Sequence, residues 1–121
     1  MRIPYFHDTG IIEMKSPDAV SALSALANEH RLAIFRLLVQ AGPEGRAAGA
    51  IAEKLDLPAS SLSFHLAHLT RAGLIEQRRE SRSLIYSADF ANMNALVGFL
   101  TENCCGGASC APVAAPKRRK A

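Results

Sequence analysis

Apolar positions recur at helical spacing through most of the chain, and the places where that spacing breaks divide it into elements. Ser16-Pro17 predicts a helix start, with Ser16 as N-cap and Pro17 at the first helical position, where a missing N–H costs nothing. Val20, Leu23 and Leu26-Ala27 give that helix an apolar face. Asn28 is a second N-cap candidate. The helix it opens, Glu29 to Ala41, carries Leu32, Ile34, Phe35, Leu37, Leu38 and Val39. That stripe is too wide for a surface helix, so this one is expected to be the core helix. Ala41-Gly42-Pro43-Glu44-Gly45 reads as a loop.

Two shorter helices follow. The first runs from about Ala47 to Leu55, with Ile51 and Leu55 on one face, and Asp56-Leu57-Pro58 breaks it. The second starts near Ala59-Ser60-Ser61, has Leu62, Leu66 and Leu69 as its buried stripe, and stops at Gly73. Leu74 to Arg79 and Leu84 to Ser87 are strand candidates around the polar turn Glu80-Ser81-Arg82-Ser83. Asp89 can cap a final helix carrying Phe90, Met93, Val97 and Leu100, with Leu96 and Phe99 beside them. Cys104 is expected to continue that stripe one turn beyond Leu100. The fold class is mainly α with a small β-hairpin. The expected organisation is an N-terminal arm (1–15), a body (16–103) and a tail (104–121).

At about 100° per residue, Ser60, Phe64, Ala67, His68 and Arg71 point away from the Leu62–Leu69 stripe, with Ser61 and Ser63 on its flanks. One side is apolar and the other offers short hydrogen-bonding groups, the division a helix-turn-helix needs to lay its second helix in the major groove of double-stranded DNA. The same pattern also fits an ordinary helical hairpin. The following β-hairpin carries Arg78, Arg79 and Arg82 near its tip and reads as a wing, because guanidinium forks match phosphate oxygens. A solvated edge hairpin is its plainer alternative. The candidate DNA-binding residues are Ser60, Ser61, Ser63, Phe64, His65, His68, Arg71, Arg78, Arg79 and Arg82. Of these, Ser60, Ser61, Ser63 and Phe64 are expected at base edges and the arginines of the wing at backbone. His65 lies nearer the buried stripe.

Net charge adds little. Lys and Arg number 14 against 11 acids, but four of the bases stand together at 117–120, and without them ten bases face eleven acids. Affinity for nucleic acid must therefore come from local clusters, with the basic tail as a non-specific addition.

The sequence resembles the ArsR/SmtB family of metal- and metalloid-responsive winged-helix repressors. The resemblance rests on Leu26-Ala27-Asn28-Glu29-His30-Arg31-Leu32-Ala33-Ile34-Phe35, Ile51-Ala52-Glu53-Lys54-Leu55, Ser60-Ser61-Leu62-Ser63-Phe64-His65-Leu66 and Ala72-Gly73-Leu74-Ile75, and covers about Val20 to Ser87. It implies a winged helix-turn-helix homodimer that sits on its own operator and leaves when an ion binds. In the arsenic sensors first associated with the family, two cysteines one residue apart start the helix before the recognition helix. Alignment back from His65-Leu66 puts Ala47 and Gly49 there, and neither can bind a metal. His30 is expected to be structural or exposed.

All three cysteines instead lie in Cys104-Cys105-Gly106-Gly107-Ala108-Ser109-Cys110. On an intact helix Cys104 and Cys105 would diverge, but Gly106-Gly107 lets the chain fold back so that three thiolates converge on one soft centre. No nearby histidine completes the four-ligand set of structural zinc, so the trio suits trivalent arsenic or antimony as effector. Some ArsR-type repressors resemble this chain in carrying a C-terminal cysteine trio. A Cys105–Cys110 disulfide switch, or a mobile tail with incidental thiols, are the alternatives.

Residues 111–121 are Ala/Pro-rich with a basic end and are expected to be disordered. No apolar run approaches the roughly 20 residues of a membrane span, and Arg2, Pro4, His7 and Asp8 leave no apolar signal core. The expectation is a cytoplasmic protein without a membrane partner. No Gly-rich phosphate loop, supported Ser/His/Asp arrangement or zinc-protease helix is present, so the chain does not read as an enzyme. A small thiol protein that transfers or reduces metalloid, and a winged helix that binds a protein partner, are rival classes.

Overall fold

The computed structural model describes residues 13–107 of the 121. Helix α1 spans Ser16–Leu26 and α2 spans Glu29–Ala41. A 3-10 turn, Gly42–Glu44, leads to strand β1, Arg46–Ala47. Helices α3 (Ala48–Leu55) and α4 (Ala59–Arg71) follow. Strands β2 (Ile75–Glu80) and β3 (Ser83–Ala88) form the hairpin, and α5 spans Phe90–Leu100. The expected fold class, mainly α with a hairpin, is the observed one.

The N-cap of α1 is Lys15, one residue before the expected Ser16. Its extended backbone (φ −110°) lets its own N–H donate to the Asp18 carboxylate at 3.2 Å, while Pro17 sits in the first turn. The inner face of α1 is Ala19, Ala22 and Ala25, all buried, and these small side chains let the helix approach α2 and α4 closely. Val20 and Leu23, part of the apolar face read from the sequence, point away from these alanines and are 65% and 41% exposed. Helix α2 is the core helix, with Ile34, Phe35 and Leu38 buried, and Asn28 caps it by accepting the Arg31 N–H. Ile51, Leu62, Leu66, Leu69, Leu74, Ile75 and Leu96 complete the core.

Among the described residues the sheet has three strands, not two, in the order β1-β3-β2. Arg46 pairs with Tyr86 and Ala47 with Ile85, both antiparallel. A two-residue strand is too short to leave a periodicity, so the hydrophobic pattern passes over it. Gly45 makes the pairing possible. It has φ +70°, and a Cβ there would collide with the Tyr86 carbonyl.

Helix α5 is capped by Asp89, whose carboxylate accepts the Asn92 N–H at 3.0 Å. It is tied to the end of α4 by Asn92 Nδ2 donating to the Gly73 carbonyl at 2.7 Å. The helix ends at Leu100, earlier than Gly106-Gly107. The Thr101 hydroxyl bonds back to the Val97 carbonyl, and Asn103 turns left-handed at φ +57°. Cys104 therefore does not continue the Phe90–Leu100 stripe. Leu96 is buried in the protomer, whereas Val97 and Leu100 are exposed at 55% and 56%. Among the described residues no helix is long and apolar enough to cross a membrane.

Candidate nucleic-acid interface and cysteine cluster

Helices α3 and α4 are joined by a three-residue turn. Asp56 adopts the left-handed conformation (φ +56°), which lets the Leu57 N–H return to the Ala52 carbonyl and close α3. Pro58 then holds an extended backbone at the N-cap of α4, and its carbonyl accepts the Leu62 N–H. Leu62, Leu66 and Leu69 fix α4 on the core. Ser60, Ser63, Phe64, Ala67 and Arg71 stand on its outer side, all exposed, while Ser61 and His68 are half-buried at its edges.

His65 is not part of the outer face. It is buried, with its Nδ1 3.5 Å from the Arg31 guanidinium and its ring 5.5 Å from that of His30. Arg31 is itself buried and donates from Nε to the Ala25 carbonyl at 2.7 Å, so one guanidinium joins α1, α2 and α4. Burial lowers the His65 pKa, and the positive Arg31 and the neighbouring His30 and His68 lower it further. His68 is lowered too, by desolvation and then by Arg31 and Arg71. Both imidazoles therefore favour the neutral form. The sequence pattern gave no warning of Arg31, because an arginine between Leu26 and Leu32 looks like any solvated charge on a helix.

The hairpin register pairs Arg78 with Ile85 and Arg79 with Leu84, around a turn in which Ser81 has φ +58°. Arg79 and Arg82 are exposed at its end. Arg78 is engaged elsewhere. Its guanidinium bonds the Glu44 carbonyl at 2.8 Å and the Pro43 carbonyl at 3.4 Å, and pairs with Glu80 at 2.8 Å. This residue holds the hairpin to the turn before β1, a role that sequence spacing across more than thirty residues does not reveal. Alternation along β2 puts Arg79 on the opposite face from Arg78.

Ala47 and Gly49 lie at the start of α3 and offer no donor side chain. Among the described residues no group of three His, Cys, Asp or Glu could hold a metal ion. Cys104 and Cys105 are exposed in a 3-10 turn, Cys104–Gly107. Cys105 has φ +56°, so the two neighbouring side chains converge instead of diverging as on a helix, and their sulfurs are 3.7 Å apart. Cys105 is disulfide-bonded. Cys110, the third expected ligand, lies outside the described residues, as do the N-terminal arm up to residue 12 and the basic end.

A family model described as a helix-turn-helix domain matches residues 26–78. The transcriptional activator HlyU of Vibrio cholerae is 35% identical over 89 residues, covering 74% of this chain and 80% of HlyU. The solved HlyU structure superposes with a TM-score of 0.61 at 34% identity, over 78% of this chain and 99% of that one. The homodimeric winged helix-turn-helix DNA-binding domain Mb0332 of Mycobacterium bovis, described as a possible ArsR-family transcriptional regulator, gives a TM-score of 0.57 at 32% identity, over 76% and 85%.

Proposed function

The chain belongs to the winged-helix transcriptional regulators of the ArsR/SmtB type, and from that premise we propose that it is a dimeric operator-binding repressor released when a thiophilic metalloid, arsenite or antimonite, binds its C-terminal cysteines. The observation that carries the reading is the 3.7 Å approach of the Cys104 and Cys105 sulfurs, produced by a left-handed Cys105 just beyond the last helix. Once Cys105 is reduced, the two converging sulfurs make a chelating pair of thiols, with Cys110 as the third soft donor.

In this reading α4 enters the major groove, and Arg79 and Arg82 of the hairpin bind backbone phosphate. The homodimer of Mb0332 supports a two-fold arrangement. The exposed Val20 and Leu23 of α1 and Val97 and Leu100 of α5 are the apolar surfaces a partner copy would cover. Trivalent arsenic, when bound, supplies three bonds to thiolate sulfur. Three thiols exchanging with arsenous acid release three waters, so all three cysteines must be reduced. The cysteines follow α5 after three residues. Drawing them together reorders the chain at Thr101–Asn103, shifts the end of α5 and so changes the separation of the two recognition helices.

The disulfide at Cys105 favours a second reading, in which oxidation itself is the signal. A peroxide that takes two electrons and two protons from a thiol pair would then release the operator with no ion. Titrating the fully reduced protein–operator complex with arsenite, and separately with peroxide, separates the two. The metalloid reading expects release at about one arsenite per chain, and none in a triple Cys→Ser variant. Release by peroxide alone would overturn it in favour of the redox reading. Neither protein partners nor turnover are required: repeated product formation per chain with a thiol reductant would instead indicate a metalloid-transforming enzyme.

A further inference from the structure

The outer face of α4 has a restricted chemistry. Its sequence, ASSLSFHLAHLTR, contains no Asn, Gln, Asp, Glu or Lys, and its one Arg is the last residue. Adenine is commonly read by Asn or Gln, guanine by Arg or Lys and cytosine by Asp or Glu, so the first three turns lack all the usual polar readers. They offer the hydroxyls of Ser60 and Ser63, the half-buried Ser61 and His68 at the edges, the methyl of Ala67 and the ring of Phe64. A hydroxyl both donates and accepts, so it discriminates weakly. Phe64 is 63% exposed and is the one large apolar group on this face. In the major groove its complement is a methyl group at the 5-position of a pyrimidine.

The ring is also held. Its edge meets His65, with ring centroids 5.7 Å apart and planes at 67°. His65 is fixed in turn by Arg31 at 3.5 Å and by the His30 ring, and Arg31 by the Ala25 carbonyl. An aromatic with two torsions, leaning on a buried residue, loses little entropy when a base covers it.

The geometry points to Phe64 as a specificity-determining residue that recognises the 5-methyl group of thymine at one position of each half-site. The inference rests on α4 being the recognition helix. It makes the protein a reader of a methyl group: thymine is preferred to uracil, and 5-methylcytosine to cytosine, at that position.

The test uses the reduced full chain and a duplex selected by it from a randomised pool. Each thymine of one half-site is replaced in turn by deoxyuridine, and binding is measured for wild type, Phe64→Ala, Ser60→Ala and Ser63→Ala. Wild type should lose about fourfold at one position, the worth of one buried methyl-sized group. Phe64→Ala should bind the thymine and uracil duplexes equally. A merely structural Phe64 would weaken both duplexes alike and keep the ratio, which overturns the proposal. So does a wild type indifferent to every replacement. If the serine variants still weaken binding, the helix assignment survives that failure; if none of the three variants changes binding, the assignment falls with it.

Discussion

Arg31 and His65 tie the outer helix of the pair to the core, and their chemistry sets a pH dependence. The folded protein holds His65 below its ordinary value of 6.5, chiefly by burial. Between the two values the unfolded chain binds a proton that the folded chain refuses, so stability rises with pH there and is lost as pH falls below about 6.5. The melting temperature should therefore drop from pH 7.5 to pH 5.5. His65→Asn should show a shallower drop, because His68, shifted in the same direction, still contributes. A wild type with a flat profile would contradict the assignment. Gly45 gives the second residue-scale prediction. With φ +70° and the Tyr86 carbonyl against its α-carbon, Gly45→Ala should cost about 2–4 kcal/mol in a urea melt; an unchanged midpoint would count against the β1–β3 pairing. Neither residue stands out in sequence. A glycine next to a Gly-Pro loop reads as turn punctuation, and a buried arginine is recognisable only once Ala25 and His65 are seen on either side of it.

At the scale of elements the sequence is far more legible. The Leu62, Leu66 and Leu69 spacing and the Asp56-Leu57-Pro58 break locate α3 and α4 closely, because local periodicity and turn chemistry decide both. The end of α5 is less legible. Gly106-Gly107 looks like the stop signal, yet the helix yields at Thr101, where a hydroxyl competes for the Val97 carbonyl. The hairpin is found by its β-branched return strand, but which arginines it leaves available depends on contacts far along the chain. That distinction is testable. Arg82→Ala should weaken binding to all DNA sequences alike and lower the salt slope by about one. Arg78→Ala removes a guanidinium already bound to Glu44 and Glu80, so its salt slope should stay near wild type. If Arg78 carries the slope and Arg82 does not, the hairpin meets DNA in another orientation.

For the whole molecule, the apolar residues left outside the core are the surfaces proposed to meet across a two-fold axis. Val97 and Leu100 are exposed on the last helix, and Val20 and Leu23 on the first. Leu100→Asp should therefore raise the dimer dissociation constant by about two orders of magnitude, from roughly 3 kcal/mol of charge desolvation, with a matching loss of operator affinity. Leu96→Asp is a different experiment, since Leu96 faces the protomer core and its loss would unfold the chain. Sedimentation of the two variants separates these outcomes, and a Leu100→Asp protein that remains fully dimeric would place the interface elsewhere. The central claim is that the cysteines beyond α5 and the operator act on one equilibrium. Coupling of this kind is reciprocal, and a typical strength of about 1–3 kcal/mol corresponds to some 5–150-fold. The direct measurement is calorimetric titration of arsenite into the reduced protein, free and saturated with operator. Arsenite should bind the operator complex more weakly, by the same factor that arsenite lowers operator affinity; equal arsenite affinity in the two titrations would contradict the coupling.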